Sequence, residues 1–151
     1  MEGDYLASKK LLELLGKIVA HELQISIKYM WQHLLVKGME GAIVENIFRE
    51  ISITEMKHAE EVAERLVFLN GLPPNKIEPV HAGIIMEEML KENVQAEEEA
   101  IDLYKRAIQV ANKEGDFATN KLLEDILSQE EKHLDKFSKL LVGMTSPFTQ
   151  P

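Results

Sequence analysis

Two short stretches decide how this chain folds: residues 51–60 read ISITEMKHAE, and residues 126–133 read ILSQEEKH. In the first stretch Glu55 and His58 stand three residues apart, and the second stretch repeats the same Glu-x-x-His spacing. Residues three apart lie on one face of an α-helix, and here that face is otherwise apolar. The sequence therefore predicts a polar pair on the inner face of each of two helices.

These pairs belong to an internal repeat that covers both halves of the chain. Adding 75 to a residue number in the first half gives a like residue in the second, which pairs Glu22 with Glu97, Tyr29 with Tyr104, Glu55 with Glu130, and His58 with His133. Two similar helical hairpins packed about a pseudo-twofold axis would produce this register.

Helical periodicity extends through most of the remaining sequence. The chain has 5 prolines, at positions 73, 74, 79, 147 and 151, which leave two long proline-free stretches with apolar residues at helical spacing. Short connections make the first and second helices, and the third and fourth, antiparallel hairpins. The segment at 70–82 is long enough to run the length of a bundle, which favours a long crossover. We predict an all-α antiparallel four-helix bundle with helices at about 8–38, 41–69, 83–113 and 116–143.

Four glutamates interrupt the apolar stripes, each close to the middle of its predicted helix: Glu22, Glu55, Glu97 and Glu130. In an antiparallel bundle the helix midpoints share one layer, so the four carboxylates should meet in the core. Ionised carboxylates in a low-dielectric interior must take up protons or bind cations. Solvated surface charges are the alternative, but two pairs in repeat register favour the buried interpretation.

Two divalent ions would balance four carboxylates, and the imidazoles of His58 and His133 would complete their coordination. Carboxylate and imidazole ligands suit iron, manganese or zinc better than copper(I) or magnesium. Glutamates from two helices with Glu-x-x-His from two others form the general pattern of di-iron and di-manganese carboxylate bundles. We therefore predict a centre of two iron ions, with manganese or zinc as substitutes.

Composition excludes several other classes of protein. The formal net charge of −9 argues against a nucleic-acid partner, and no apolar run approaches the ~18–20 residues of a membrane span. The absence of cysteine excludes disulfides, iron–sulfur clusters and thiol catalysis. The N-terminal MEGDYLASKK has no apolar leader region. We expect one cytoplasmic domain over residues 1–151, with the bundle at about 6–143 and a tail at 144–151.

Most of the chain, about residues 6–143, resembles bacterioferritin, within the ferritin-like di-iron carboxylate family. The resemblance is carried by ISITEMKHAE at 51–60, RLVFLNGLP at 65–73, ILSQEEKH at 126–133, Glu22 with Tyr29, and Glu97. It implies a ferroxidase that oxidises ferrous iron with dioxygen or hydrogen peroxide, for iron storage or detoxification. By this resemblance Glu55 and Glu130 would bridge two irons, Glu22 and Glu97 would be terminal carboxylates, and His58 and His133 would each bind one iron.

The resemblance also assigns roles outside the six ligands. Tyr29 would stand beside the site as a hydrogen-bond donor or a transient electron source. Met56 matches the methionine that binds haem b between two copies, and it faces away from the metal layer. The family implies a homo-oligomer, either a dimer or a hollow shell of 24 subunits. Residues 144–151 show no helical pattern, so we expect the family's short fifth helix to be absent.

Two other functions stay open at this point. A peroxide-reducing enzyme of the rubrerythrin kind would use the same bundle. Rubrerythrins, however, carry a further glutamate where this chain has Ala100, and often a cysteine-ligated iron domain. The third candidate is a non-enzymatic structural or cargo bundle whose metals only hold the helices together.

Overall fold

The computed structural model describes residues 7–145 and shows the expected all-α architecture. Its helices are α1 (Lys9–Leu35), α2 (Gly38–Phe68), α3 (Met86–Lys113) and α4 (Phe117–Thr145). No β-strand occurs within the described range, which confirms the predicted fold class. None of the helices in this range combines the length and apolarity that crossing a membrane requires.

Capping residues set two of the helix starts as the sequence predicts. The Ser8 hydroxyl accepts a hydrogen bond from the Leu11 amide at 3.1 Å, which caps α1. Asp116 plays the same part before α4, because its carboxylate accepts from the Thr119 amide at 3.0 Å. Between α3 and α4, Gly115 adopts a φ of +74°, a left-handed conformation that glycine tolerates and that ends a helix.

Other boundaries differ from the prediction. The first helix ends at Leu35, and α2 already begins at Gly38. The third begins at Met86, three residues late, because Gly83 has a φ of +85° and cannot continue a helix from that point. The fourth continues past its predicted end at 143 to Thr145. The expected absence of a fifth helix concerns residues beyond 145, which lie outside the described residues.

The segment between α2 and α3 is the predicted long crossover. It runs beside α1, where the Gln24 side chain donates to the Pro79 carbonyl and the Gln32 side chain donates to the Ala82 carbonyl, each at 3.0 Å. Because these contacts follow α1 towards its C-terminal end, α3 starts at the end of the bundle opposite to the end of α2. Each helix therefore packs antiparallel to its neighbours, α1 against α2 and α3, and α4 against α3 and α2.

The apolar core is divided into two clusters. One includes Leu15, Val62, Ala107 and Leu123, and the other includes Ile25, Phe48, Leu90 and Phe137. In the second cluster the rings of Tyr29 and Phe137 meet edge to face, 5.2 Å between centroids. Between the clusters lies a polar layer, formed by the four glutamates that interrupt the stripes. All four are fully buried.

Candidate metal centre

The structure brings all six predicted ligand residues together at the middle of the bundle. Each helix supplies one glutamate, and α2 and α4 each add a histidine one turn later. The His58 side chain is 2% exposed, whereas the His133 side chain is 13% exposed. The layer is therefore closed to solvent except beside one imidazole.

Two overlapping groups of ligand atoms occupy this layer. The first group comprises Glu22, Glu55, His58 and Glu130, and the second comprises Glu55, Glu97, Glu130 and His133. Within each group one potential ligand atom from every residue lies within 4.8 Å of the others. Glu55 and Glu130 belong to both groups, so the arrangement can hold two ions side by side with two shared carboxylates.

Both imidazoles point the same ring nitrogen into the cluster. The Nδ1 atom of His58 lies 2.9 Å from a Glu55 oxygen and 2.8 Å from a Glu130 oxygen. The Nδ1 atom of His133 lies 2.7 Å from the other Glu55 oxygen. Nδ1 is therefore the nitrogen that each ring offers to a metal, and Nε2 faces outward.

Two tyrosines orient the remaining carboxylates across the bundle. The Tyr29 hydroxyl donates to Glu97 Oε1 at 2.8 Å, and the Tyr104 hydroxyl donates to Glu22 Oε1. The second oxygen of each glutamate, Oε2, is buried without a hydrogen-bond partner among the described residues. A buried carboxylate oxygen without a donor is costly, and a cation would satisfy it. The observed donor set therefore fits a metal.

Tyr104 also contacts the site, although the resemblance assigned a role there only to Tyr29. It makes the same kind of contact as Tyr29, with the helices exchanged. The repeat of 75 residues pairs the two tyrosines, and this pairing indicates that Tyr104 lies at the site as Tyr29 does. No sequence pattern marks Gln129, whose side-chain oxygen lies 2.9 Å from His58 Nε2.

The carboxylates hold both imidazoles in their charged form. Burial alone would lower the pKa of His58, but hydrogen bonds to Glu130 and Glu55 outweigh it and raise this pKa to about 10. Burial would also lower the pKa of His133, but hydrogen bonds to Glu130 and Glu55 outweigh it and raise this pKa to about 9. Two positive charges therefore lie where the ligand groups would hold cations.

The pKa values of the two terminal glutamates and that of Glu130 shift in opposite directions. Burial, followed by the charges of Glu55 and Glu130, raises the pKa of Glu22 well above its ordinary value, and the same causes raise that of Glu97. For Glu130, burial is opposed by hydrogen bonds from His133 and His58, which bring its pKa well below the ordinary value. Protons therefore compete with cations for the terminal glutamates more strongly than for Glu130.

Met56, the predicted haem ligand, lies away from this layer. It belongs to α2 but is 44% exposed, on the outer side of the helix. The structure therefore does not bring it to the centre, in agreement with its position one residue after Glu55.

The sequence is similar to those of several known proteins. A sequence model described as the ferritin-like domain matches residues 12–145. The bacterioferritin of Desulfovibrio desulfuricans is 32% identical over 133 residues, which cover 87% of this chain and 74% of that protein. The bacterioferritin of Rhodobacter capsulatus is 31% identical over 137 residues, which cover 89% of this chain and 82% of that protein. That of Brucella melitensis is 28% identical over 127 residues, 83% of this chain and 79% of that protein.

Proposed function

This chain belongs to the ferritin-like domain family, and on that premise we propose that its buried cluster is a di-iron ferroxidase centre serving iron storage or detoxification. The observation that carries the proposal is the sharing of Glu55 and Glu130 between two groups of ligand atoms. A two-electron oxidant can take one electron from each of two adjacent ferrous ions, so a paired site suits this reaction. Carboxylates with imidazoles also suit iron in both oxidation states.

The ferrous ions are the substrate, and the chain provides two positions for them. Glu22 and His58 would complete the first position, and Glu97 and His133 would complete the second. The overall reaction balances as two Fe(II) with O2 and two protons giving two Fe(III) and H2O2. With peroxide as oxidant, two Fe(II), H2O2 and two protons give two Fe(III) and two water molecules.

The surrounding residues hold the ligands and exclude water. Burial raises the pKa of Tyr29 and of Tyr104 well above the ordinary value, so both hydroxyls keep their protons at neutral pH and remain donors. Each holds one oxygen of a terminal glutamate and leaves the other free for metal. For Tyr29 the proposal leaves two alternative roles, as a hydrogen-bond donor to Glu97 or as a transient electron source.

Aerobic addition of ferrous iron tests the proposal. We expect a fast absorbance rise that saturates at two irons per chain, with one O2 consumed for every two irons. Protein loaded beforehand with two Zn²⁺ per chain is the matched control, because zinc is redox-inert and would occupy the same ligands. Loss of the fast phase in that control supports the assignment, and a fast phase that zinc leaves unchanged would contradict it.

The same preparation separates the two competing functions. Rapid turnover of peroxide with an added reductant, without accumulation of ferric product, would favour a rubrerythrin-type enzyme. Against that function, the buried Ala100 offers no carboxylate where rubrerythrins carry one. Zinc retained from the natural host, with no oxidation after exchange for iron, would favour a structural or cargo role.

We further propose that the chain forms a homo-oligomer and that Met56 binds haem b between two copies. A thioether is an established axial ligand, and this one is presented outward on α2. Added haem should give a Soret band at one haem per two chains, and Met56→Leu should abolish it. Met39→Leu is the matched control, since Met39 is also exposed but lies at the start of α2. Equal haem binding by the Met56 variant would refute the assignment.

A further inference from the structure

The outward nitrogens of the two imidazoles have different surroundings. His58 Nε2 lies 2.9 Å from the side-chain oxygen of Gln129. His133 Nε2 has no hydrogen-bond partner in the part of the chain that the structure describes. In the repeat register, Thr54 is the counterpart of Gln129. Its hydroxyl instead donates to the Glu50 carbonyl of its own helix at 3.0 Å, so nothing replaces the missing contact.

A second difference between the two hairpins is the hydrogen bonding between their helices beside the centre. The Ser26 hydroxyl donates to the Ser52 carbonyl at 2.8 Å, and the Ser52 hydroxyl donates to the Ser26 carbonyl at 2.6 Å. This reciprocal pair joins α1 to α2 within a turn of Glu22 and Glu55. The repeat places Ile101 and Leu127 at the corresponding positions of α3 and α4, where apolar side chains cannot make such bonds.

We propose that the two metal positions are unequal, and that the position of Glu22 and His58 fills first and empties last. Both of its terminal ligands come from the α1–α2 hairpin, whose helices are joined by the Ser26–Ser52 hydrogen bonds. Both terminal ligands of the other position, Glu97 and His133, come from the α3–α4 hairpin. The proposal rests on the proposed metal centre and adds an order of filling and release to it.

The physical reason is preorganisation. A metal-binding histidine usually donates its second ring N–H to a fixed acceptor, and loss of that acceptor costs about 10–100-fold in metal affinity. The Gln129 side chain, although exposed, supplies the acceptor for His58. Among the residues that the structure describes, His133 makes polar contacts only with Glu55 and Glu130, and its greater exposure lets water compete for its ring. Metal in the His133 position should therefore exchange with solution more readily.

Anomalous diffraction from crystals of protein loaded with one equivalent of Zn²⁺ measures the occupancy of each position directly. We expect the His58 position to be at least ~10-fold more occupied than the His133 position. This measurement compares two positions within one molecule, so repulsion between the first and second ion does not affect it.

Three variants test the assigned cause. Gln129→Leu removes the acceptor at similar size and should bring the two occupancies close to equality. Gln129→Glu keeps an acceptor and should preserve the preference. Thr54→Gln introduces the missing acceptor beside His133 and should raise the occupancy of that position towards the first.

Proton NMR of the Co²⁺-loaded protein gives a second readout. The shifted Nε2–H signal of His58 should exchange with water more slowly than that of His133, and Gln129→Leu should remove the difference. Equal zinc occupancies in the unmodified chain would overturn the inequality, and a preference that survives Gln129→Leu would refute Gln129 as its cause. Both outcomes leave the metal centre standing. Absence of zinc from both positions would instead contradict the centre itself.

Discussion

Replacement of Glu130 by Gln should lower the affinity for divalent metal at both positions and slow ferrous iron oxidation, each by more than ~100-fold. The reason is that Glu130 belongs to both ligand groups, and one of its oxygens lies 2.8 Å from His58 Nδ1. The amide has the same size as the carboxylate, so the packing is kept while a shared anionic ligand is lost. Equilibrium dialysis with Co²⁺ and stopped-flow oxidation measure the two effects.

Two control variants test whether the effect comes from the shared position of Glu130. Glu22→Gln should weaken only the position that contains His58, because Glu22 belongs to a single ligand group. Glu131→Gln alters the neighbouring, exposed glutamate and should change neither binding nor oxidation. Circular dichroism would verify that each variant remains folded. A Glu130 variant that still binds two ions tightly would refute the shared role of this carboxylate.

Metal affinity at each position should fall at least about tenfold for each unit by which the pH is lowered between 8 and 6. The pKa values of His58 and His133 are raised to about 10 and about 9, so both rings carry protons throughout this range. A metal ion can bind only after the proton leaves, and a lower pH opposes that step. One proton from each ring gives a tenfold effect per ion, and the raised pKa values of Glu22 and Glu97 add to the dependence.

Competition with a chelator at pH 6, 7 and 8 measures this dependence, and calorimetry in buffers of different ionisation enthalpy counts the released protons. We expect at least two protons per chain when both positions fill. His81→Gln is the control, because His81 is exposed and lies in the crossover, outside the centre. Affinity that stays constant with pH, or binding without proton release, would show that the imidazoles carry no protons for the metal to displace.

The ligand set could be predicted because its information is local and repeated. Helical spacing places Glu55 beside His58 whatever the rest of the chain does, and the register of 75 residues extends the pattern to the second half. Contacts across the bundle carry no such local signal. The approach of Gln129 to His58 depends on the distance and rotation between α2 and α4, which only tertiary packing determines.

Helix boundaries were missed for a different physical reason. The periodicity around Gly83 is helical, but this residue takes a positive φ and starts no helix, so α3 begins only at Met86. The first residue of α3 depends on where the crossover ends, and Ala82 lies against Gln32 near the C-terminal end of α1. The crossover itself was predictable, since its length matches that of the bundle.

The division of the core by a carboxylate layer also constrains how the helices can slide along one another. A shift of one helix by a single turn, ~5.4 Å, would put its glutamate among aliphatic side chains while the other three lost a partner. Uniform apolar stripes would tolerate that slip at much lower cost. The carboxylate layer thus fixes the axial register of the four helices. It disfavours every packing in which one helix is shifted, even if it lowers the stability of the correctly aligned bundle.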